Sequence, residues 1–237
     1  MSRKNNIELG KLADKTILNH IESLDNVLAI TEIRDTQGKL NRTPTEEVEN
    51  SINQYLGVDY ILTIEGNRFR NIDGVNFDLK HIDTKGFTYA TKNYGGLYDN
   101  GIPEFLLMQV EKQFSDGKKY YGWSNDPKHL TDYIVILINN RIIWLDYKKL
   151  SKYMVSIYDP FRIETEDLRI LNRFLTKQYE SVTFKKETGE VNTCLKIPTI
   201  ELFQNGVMTG FYEVENNNEK WYNVSHKVKD LSVRQYQ

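Results

Sequence analysis

The stretch Tyr133-Ile-Val-Ile-Leu-Ile138, Asn139-Asn140-Arg141, Ile142-Ile-Trp-Leu145 sets two apolar runs on either side of an Asn-rich turn. Short runs rich in β-branched residues read as strands, and the Asn pair reads as the reversal between them. The segment therefore predicts a central hairpin. Just after it, Tyr147 to Met154 predicts a short helix. Further on, Leu168, Leu171, Phe174 and Leu175 predict another that starts near Thr165. Strands are expected near 182–185, 193–197 and 209–214.

On the N-terminal side, Leu9, Leu12, Ala13, Ile17, Leu18, Ile21 and Leu24 recur three and four apart, the spacing of one helix face. Val27 to Ile33 predicts a short strand. Thr43-Pro44-Thr45-Glu46 then combines a capping Thr, a Pro at the first helical position and a Glu three residues after the cap. It opens a helix over 44–56 whose stripe is Val48, Ile52, Tyr55 and Leu56, with Gly57 as its stop. Tyr60 to Ile64 predicts a strand and Gly66-Asn67 a turn. Val75, Phe77 and Leu79 alternate as a further strand whose apolar side is expected in the core. Residues 86–103, rich in Gly, Tyr and Asn, predict a long loop. Periodicity leaves 103–114 open between helix and strand. The mixture predicts an α/β (α+β) fold, one domain over 1–237 with 1–42 as an N-terminal helical extension.

Composition narrows the function classes. The chain has 237 residues, 39% hydrophobic and 27% charged, and its 15 Tyr, 10 Phe and 3 Trp are enough to fill a core. A single cysteine, Cys194, excludes an internal disulfide framework, and a buried inert thiol is its default reading. His20, His81, His129 and His226 show no zinc-ligand spacing. A net charge of -2 argues against a general polyanion-coating protein. The first residues lack an apolar signal core, and no stretch approaches a membrane span, so a soluble cytoplasmic protein is expected. No Walker-type loop, G-x-G-x-x-G or G-x-S-x-G occurs.

The chemistry concentrates in Arg70-Asn-Ile-Asp-Gly-Val-Asn-Phe-Asp-Leu-Lys-His-Ile-Asp-Thr-Lys85. Asp83 and Lys85 are two apart, so on a strand they project from one face. A second acid, Asp73 or Asp78, would complete a carboxylate pair for a divalent ion, and hard Mg²⁺ needs only one or two carboxylates besides water and a phosphate. Lys85 would orient the nucleophile or offset developing charge. Each residue also has a plain reading. Asp-x-Lys on an exposed strand is a solvated face, and Asp73-Gly74 is a turn dipeptide. Lys118-Lys119 and Trp123 are candidate phosphate and base contacts. Paired lysines also serve solubility, and a Trp beside Gly122 also packs at a core edge.

These residues resemble the PD-(D/E)xK nuclease superfamily, the fold of many restriction enzymes and Holliday-junction resolvases. Asp83 and Lys85 match its Asp-x-Lys signature, Asp73 sits ten residues earlier, and the helix over 44–56 stands where the family's first core helix does. Of that helix's acids, Glu46, Glu47 and Glu49, Glu49 lies nearest the apolar stripe. Tyr121-Gly-Trp-Ser-Asn-Asp-Pro-Lys-His-Leu-Thr-Asp-Tyr-Ile-Val-Ile and Ile197-Pro198 are similar to segments of small phage-type members, so the resemblance spans roughly 43–203.

The resemblance implies a restriction-endonuclease-like central mixed sheet flanked by helices. It implies a DNA endonuclease using Mg²⁺ or Mn²⁺ held by Asp73, Asp83 and Glu49, with Lys85 positioning the attacking water. DNA would be the partner, a homodimer is admitted, and the setting would be a bacterial or phage-infected cell. Gly74-Val75-Asn76-Phe77 carries Asn where the family's Gly-Val-Asp-Phe type of segment has its first metal-binding acid. A second reading follows, a catalytically inactive nuclease-like fold that binds DNA or a protein target, such as a phage-encoded inhibitor of a host enzyme.

Overall fold

The computed structural model describes residues 3–33, 57–87, 91–159, 179–186, 188–215 and 218–222. The helices expected over 44–56 and from Thr165 lie outside them. In chain order the elements are α1 (Arg3–Glu22), β1 (Val27–Glu32), β2 (Tyr60–Arg70), β3 (Asn76–Phe87), α2 (Thr91–Tyr94), β4 (Phe105–Gln113), β5 (Lys119–Tyr121), β6 (Tyr133–Ile138), β7 (Arg141–Asp146), α3 (Tyr147–Ile157), β8 (Ser181–Lys185), β9 (Val191–Pro198), α4 (Thr199–Gln204), β10 (Met208–Glu215) and β11 (Asn218–Tyr222). The fold is mixed α/β. A seven-stranded sheet has the order β1-β2-β3-β6-β7-β10-β11, and a four-stranded sheet the order β5-β4-β9-β8. Among the described residues no helix is long and apolar enough to cross a membrane.

The chain gathers into two compact units. The first takes Met1–Thr88, Lys128–Leu145 and Phe211–Trp221, and the second takes Tyr89–Pro127, Asp146–Gly210 and Tyr222–Gln237. In the first, β2 pairs antiparallel with β1 and β3, and β3 pairs parallel with β6 from Ile82↔Tyr133 to Phe87↔Ile138. The predicted hairpin is β6 and β7, with Asn139 at φ 59 in its turn. Ile134, Val135, Ile136 and Ile138 are all buried, which explains a run without alternation, since both faces of β6 are covered.

Ile17 and Ile21 of α1 pack against Tyr60, Leu62, Ile82, Val135 and Ile142. The helix expected in an N-terminal extension therefore builds this core. Its buried line is Ala13, Ile17, His20 and Ile21, whereas Leu12 faces outward. The helix sits close on β3 because residue 86 is Gly: a Cβ there would lie 2.5 Å from Ala13 Cβ. His20 is satisfied inside, since its Nε2 accepts a hydrogen bond from Trp144 Nε1 at 3.1 Å.

In the second unit β4 pairs antiparallel with β9 and β5, so 105–113 is a strand. A bulge between Gln109 and Glu111 receives the Gly-Trp segment. Ser124 donates from N and Oγ to Gln109 O at 3.1 and 2.6 Å. A Cβ on residue 122 would lie 2.0 Å from that same oxygen, so only Gly fits there. Helix α3 is capped by Asp146, which accepts from Lys149 N at 3.1 Å, and it buries Tyr147, Leu150, Met154 and Ile157.

Candidate functional site

Ile82 packs under α1 and Thr84 Oγ1 reaches Asp14 of that helix, so the even positions of β3 face α1. His81, Asp83 and Lys85 therefore share the other face. Lys85 Nζ forms an ion pair with Asp83 Oδ1. The register that sets Tyr60 opposite Ile82 also sets Asp59 opposite Asp83, and Asp59 N donates to Ile82 O at 2.8 Å. Asp59 is buried, and its Oδ2 accepts from Thr84 N at 2.9 Å and Thr84 Oγ1 at 2.8 Å. Thr84 Oγ1 also lies 3.2 Å from Asp14 Oδ1. A hydroxyl has one hydrogen, and the shorter contact assigns it to Asp59.

Asp83 is 2% exposed, and its Oδ2 is buried with no hydrogen-bond partner. Burial pushes its carboxyl up to about 7; the Lys85 ammonium opposes that rise and the Asp59 carboxyl adds to it. The Asp83 and Asp59 carboxyls also lie within hydrogen-bond reach of each other in one dry corner, a contact that raises Asp83 further and needs a proton between them. Either a proton or a cation must balance them. The donor set, two carboxylates beside an ammonium, suits a hard divalent ion that keeps most of its water. Among the described residues no group of three or more His, Cys, Asp or Glu side chains is arranged to hold a metal.

Of the residues singled out in the sequence, Asp83 and Lys85 come together. Asp73 does not join them: it is exposed in the turn before β3, and the seven steps from Asn76 to Asp83 span about 23 Å of strand. Its Asp-Gly turn chemistry decided its place. Asp78 is structural, since its Oδ1 accepts from Asn67 N at 3.1 Å and Arg68 N at 2.8 Å. Glu49 lies outside the described residues. Lys118 Nζ pairs with Asp116 Oδ2 and Lys119 Nζ with Glu111 Oε2, both at 3.1 Å. Trp123 is half-buried on the bulged side of β4.

Asp59 was missed, although a signal for it existed. Gly57-Val58-Asp59-Tyr60 carries an acid where the similar Gly74-Val75-Asn76-Phe77 has Asn. Asn76 pairs with Arg70 near the turn, at the far end of β3 from Asp83. Beside the site, Asp132 Oδ2 accepts from His81 N at 2.8 Å. Burial would raise the Asp132 carboxyl, but the bonds from His81 outweigh it and hold it below its ordinary value.

No protein-family model, curated protein or solved structure matches the chain.

Proposed function

We propose that the chain is a divalent-metal-dependent phosphodiesterase acting on DNA, with Asp59, Asp83 and Lys85 as its site. The observation that carries this reading is the buried, unpartnered Asp83 Oδ2 beside a second carboxyl and an ammonium. It agrees with the resemblance of Asp83-x-Lys85 to PD-(D/E)xK nucleases, with Asp59 in the place first given to Asp73.

Asp59 and Asp83 would hold Mg²⁺ or Mn²⁺, which supplies Lewis-acid polarisation of the phosphate and a bound water of lowered pKa. Thr84 fixes Asp59 through its N–H and hydroxyl, so that carboxylate needs little reorganisation when it binds. Lys85 pairs with Asp83 and sits partly exposed at the edge of the buried pair. There it can orient the attacking water and offset the negative charge that grows on the phosphate oxygens.

The test is cleavage of linear, supercoiled and branched DNA by purified protein with Mg²⁺ or Mn²⁺, stopped by EDTA. Asp83→Asn, Asp59→Asn and Lys85→Ala should each slow it on the order of 100- to 1000-fold. Asp73→Ala should leave the rate unchanged. A wild type that cleaves none of these substrates, or an Asp83→Asn variant as fast as wild type, overturns the reading. Retained DNA or protein binding without cleavage would favour the inactive nuclease-like alternative.

A further inference from the structure

Asp59 stands at the joint where the chain enters β2. Its N donates to Ile82 O and its O accepts from Ile33 N, each at 2.8 Å. The two residues ahead of it are held from another part of the chain. Gly57 has φ 78, in the left-handed region that glycine enters without strain. The His129 ring fills the space beside it, so that a Cβ on residue 57 would collide with Nε2, Cε1 and Cδ2 of that ring. Thr131, buried at 6% exposure, donates from Oγ1 to Gly57 O at 2.8 Å. Val58, between these contacts and Asp59, is buried as well.

His129 and Thr131 belong to the segment that leads into β6. The next residue, Asp132, closes on the other strand of the site: Asp132 N donates to His81 O and His81 N donates to Asp132 Oδ2, both at 2.8 Å. Neighbouring residues thus hold Gly57, two positions before Asp59, and His81, two positions before Asp83. The Thr84 N–H and hydroxyl can bond the Asp59 carboxylate only while its backbone stays where Gly57 delivers it. A carboxylate pair that takes a cation needs its oxygens fixed beforehand, and the groups behind the ligands do that fixing.

We propose that Thr131 and His129 are positioning residues of the Asp59–Asp83 site: by fixing Gly57 they set where the Asp59 carboxylate lies, and so how tightly the pair holds a divalent cation. The cation rests on the function proposed above; the placement of Asp59 does not. Neither residue touches the reacting atoms. Thr131 acts through its hydrogen bond to the Gly57 carbonyl. His129 acts by shape, occupying the space into which the segment would otherwise relax, and its ring does this in either protonation state.

The test reads Asp59 through the amide that it holds. Thr84 N donates to Asp59 Oδ2 at 2.9 Å, so the Thr84 amide signal in the NMR spectrum of metal-free, full-length protein reports where that carboxylate lies. Thr131→Val removes the hydroxyl and keeps the bulk. It should shift the Thr84 amide and speed its hydrogen exchange about tenfold or more. Thr131→Ser, which keeps the hydroxyl, should restore both. Thr199→Val is the control, because Thr199 Oγ1 makes the same kind of buried bond, to Pro103 O at 2.6 Å, in the second unit. It should lower the urea midpoint comparably and leave Thr84 unmoved. Should Thr131→Val fail to fold, Thr131→Cys, a weaker donor, gives the same reading at smaller amplitude. Mn²⁺ affinity measured by calorimetry without DNA should fall about tenfold to a hundredfold in Thr131→Val. A Thr84 amide that stays put in Thr131→Val overturns the inference whatever the metal does, and so does an equal shift in Thr199→Val. Equal Mn²⁺ affinities of wild type and Thr131→Val also overturn it, and leave the metal site standing. A shifted Thr84 amide in a protein that binds no Mn²⁺ supports the positioning role and removes the hydrolytic reading.

Discussion

Asp83 shows what one buried carboxyl does to the rest of the chain. Unfolded, it titrates near 3.8; folded, burial holds it up to about 7. Between those values the native state keeps a proton that the unfolded state has lost. Stability therefore falls as pH rises from about 4 to about 7 and stays lowered above that. The loss is on the order of 4 kcal/mol. Urea melts of metal-free protein should show Asp83→Asn more stable than wild type at pH 8, with the gap closing toward pH 4. On the proposed function, Mg²⁺ at pH 8 should stabilise wild type and leave the variant unmoved, because the ion would bind only the folded, ionised pair. A gap that does not change with pH would contradict this account.

At the scale of elements, α1 is held by a narrow contact. Ile17 and Ile21 are fully buried against β2, β3, β6 and β7, and Ala13 rests on Gly86. Ile17→Ala should lose about 2–5 kcal/mol in denaturant melts, the range for a large-to-small change in a closed core. Leu12→Ala, at a position 61% exposed, should stay within about 0.5 kcal/mol. Comparable losses at both positions would mean that the helix presents a broader face than its register shows. The expected strand of Val75, Phe77 and Leu79 meets a different fate. It exists, but it lies partly on the stretch of β2 and β3 that β1 and β6 do not flank, so Val75 is exposed and Phe77 finds a partner in Phe69 rather than the core. Alternation identified the strand and said nothing of what would cover it.

At the scale of the molecule, the chain enters each unit more than once, and the first unit is completed late. Strand β10 lies next to β7 and brings Phe211, which is fully buried, and Glu213, which pairs with Arg141 where both side chains are largely buried. A chain ending at Gly206 loses both. Losing a buried Phe costs about 3–5 kcal/mol, and the Arg141–Glu213 pair and the cover on the β7 edge go with it. Together these approach the 5–15 kcal/mol that holds a typical domain. The truncated chain should show no cooperative thermal transition by circular dichroism. A transition at the wild-type midpoint would show that β10 and β11 are dispensable.

The apolar runs at 133–138 and 142–145, the amphipathic α1 and the Asp83-x-Lys85 pair on one strand face were legible in the sequence alone. They depend on periodicity and turn chemistry, which act over a few residues. Three things were decided only by the tertiary structure. Residues 105–113 are a strand because β9 and β5 pair with them. Strand β3 lies parallel to β6, a pairing that spans a long intervening segment. The partner of Asp83 is Asp59 and not Asp73, because antiparallel register puts the start of β2 beside the end of β3 and carries the intervening turn away. A residue's own spacing records which way it points on its element. Which carboxyl it then meets depends on strand pairing between distant segments, and the Gly57-Val58-Asp59-Tyr60 pattern does not say which strand it will lie beside.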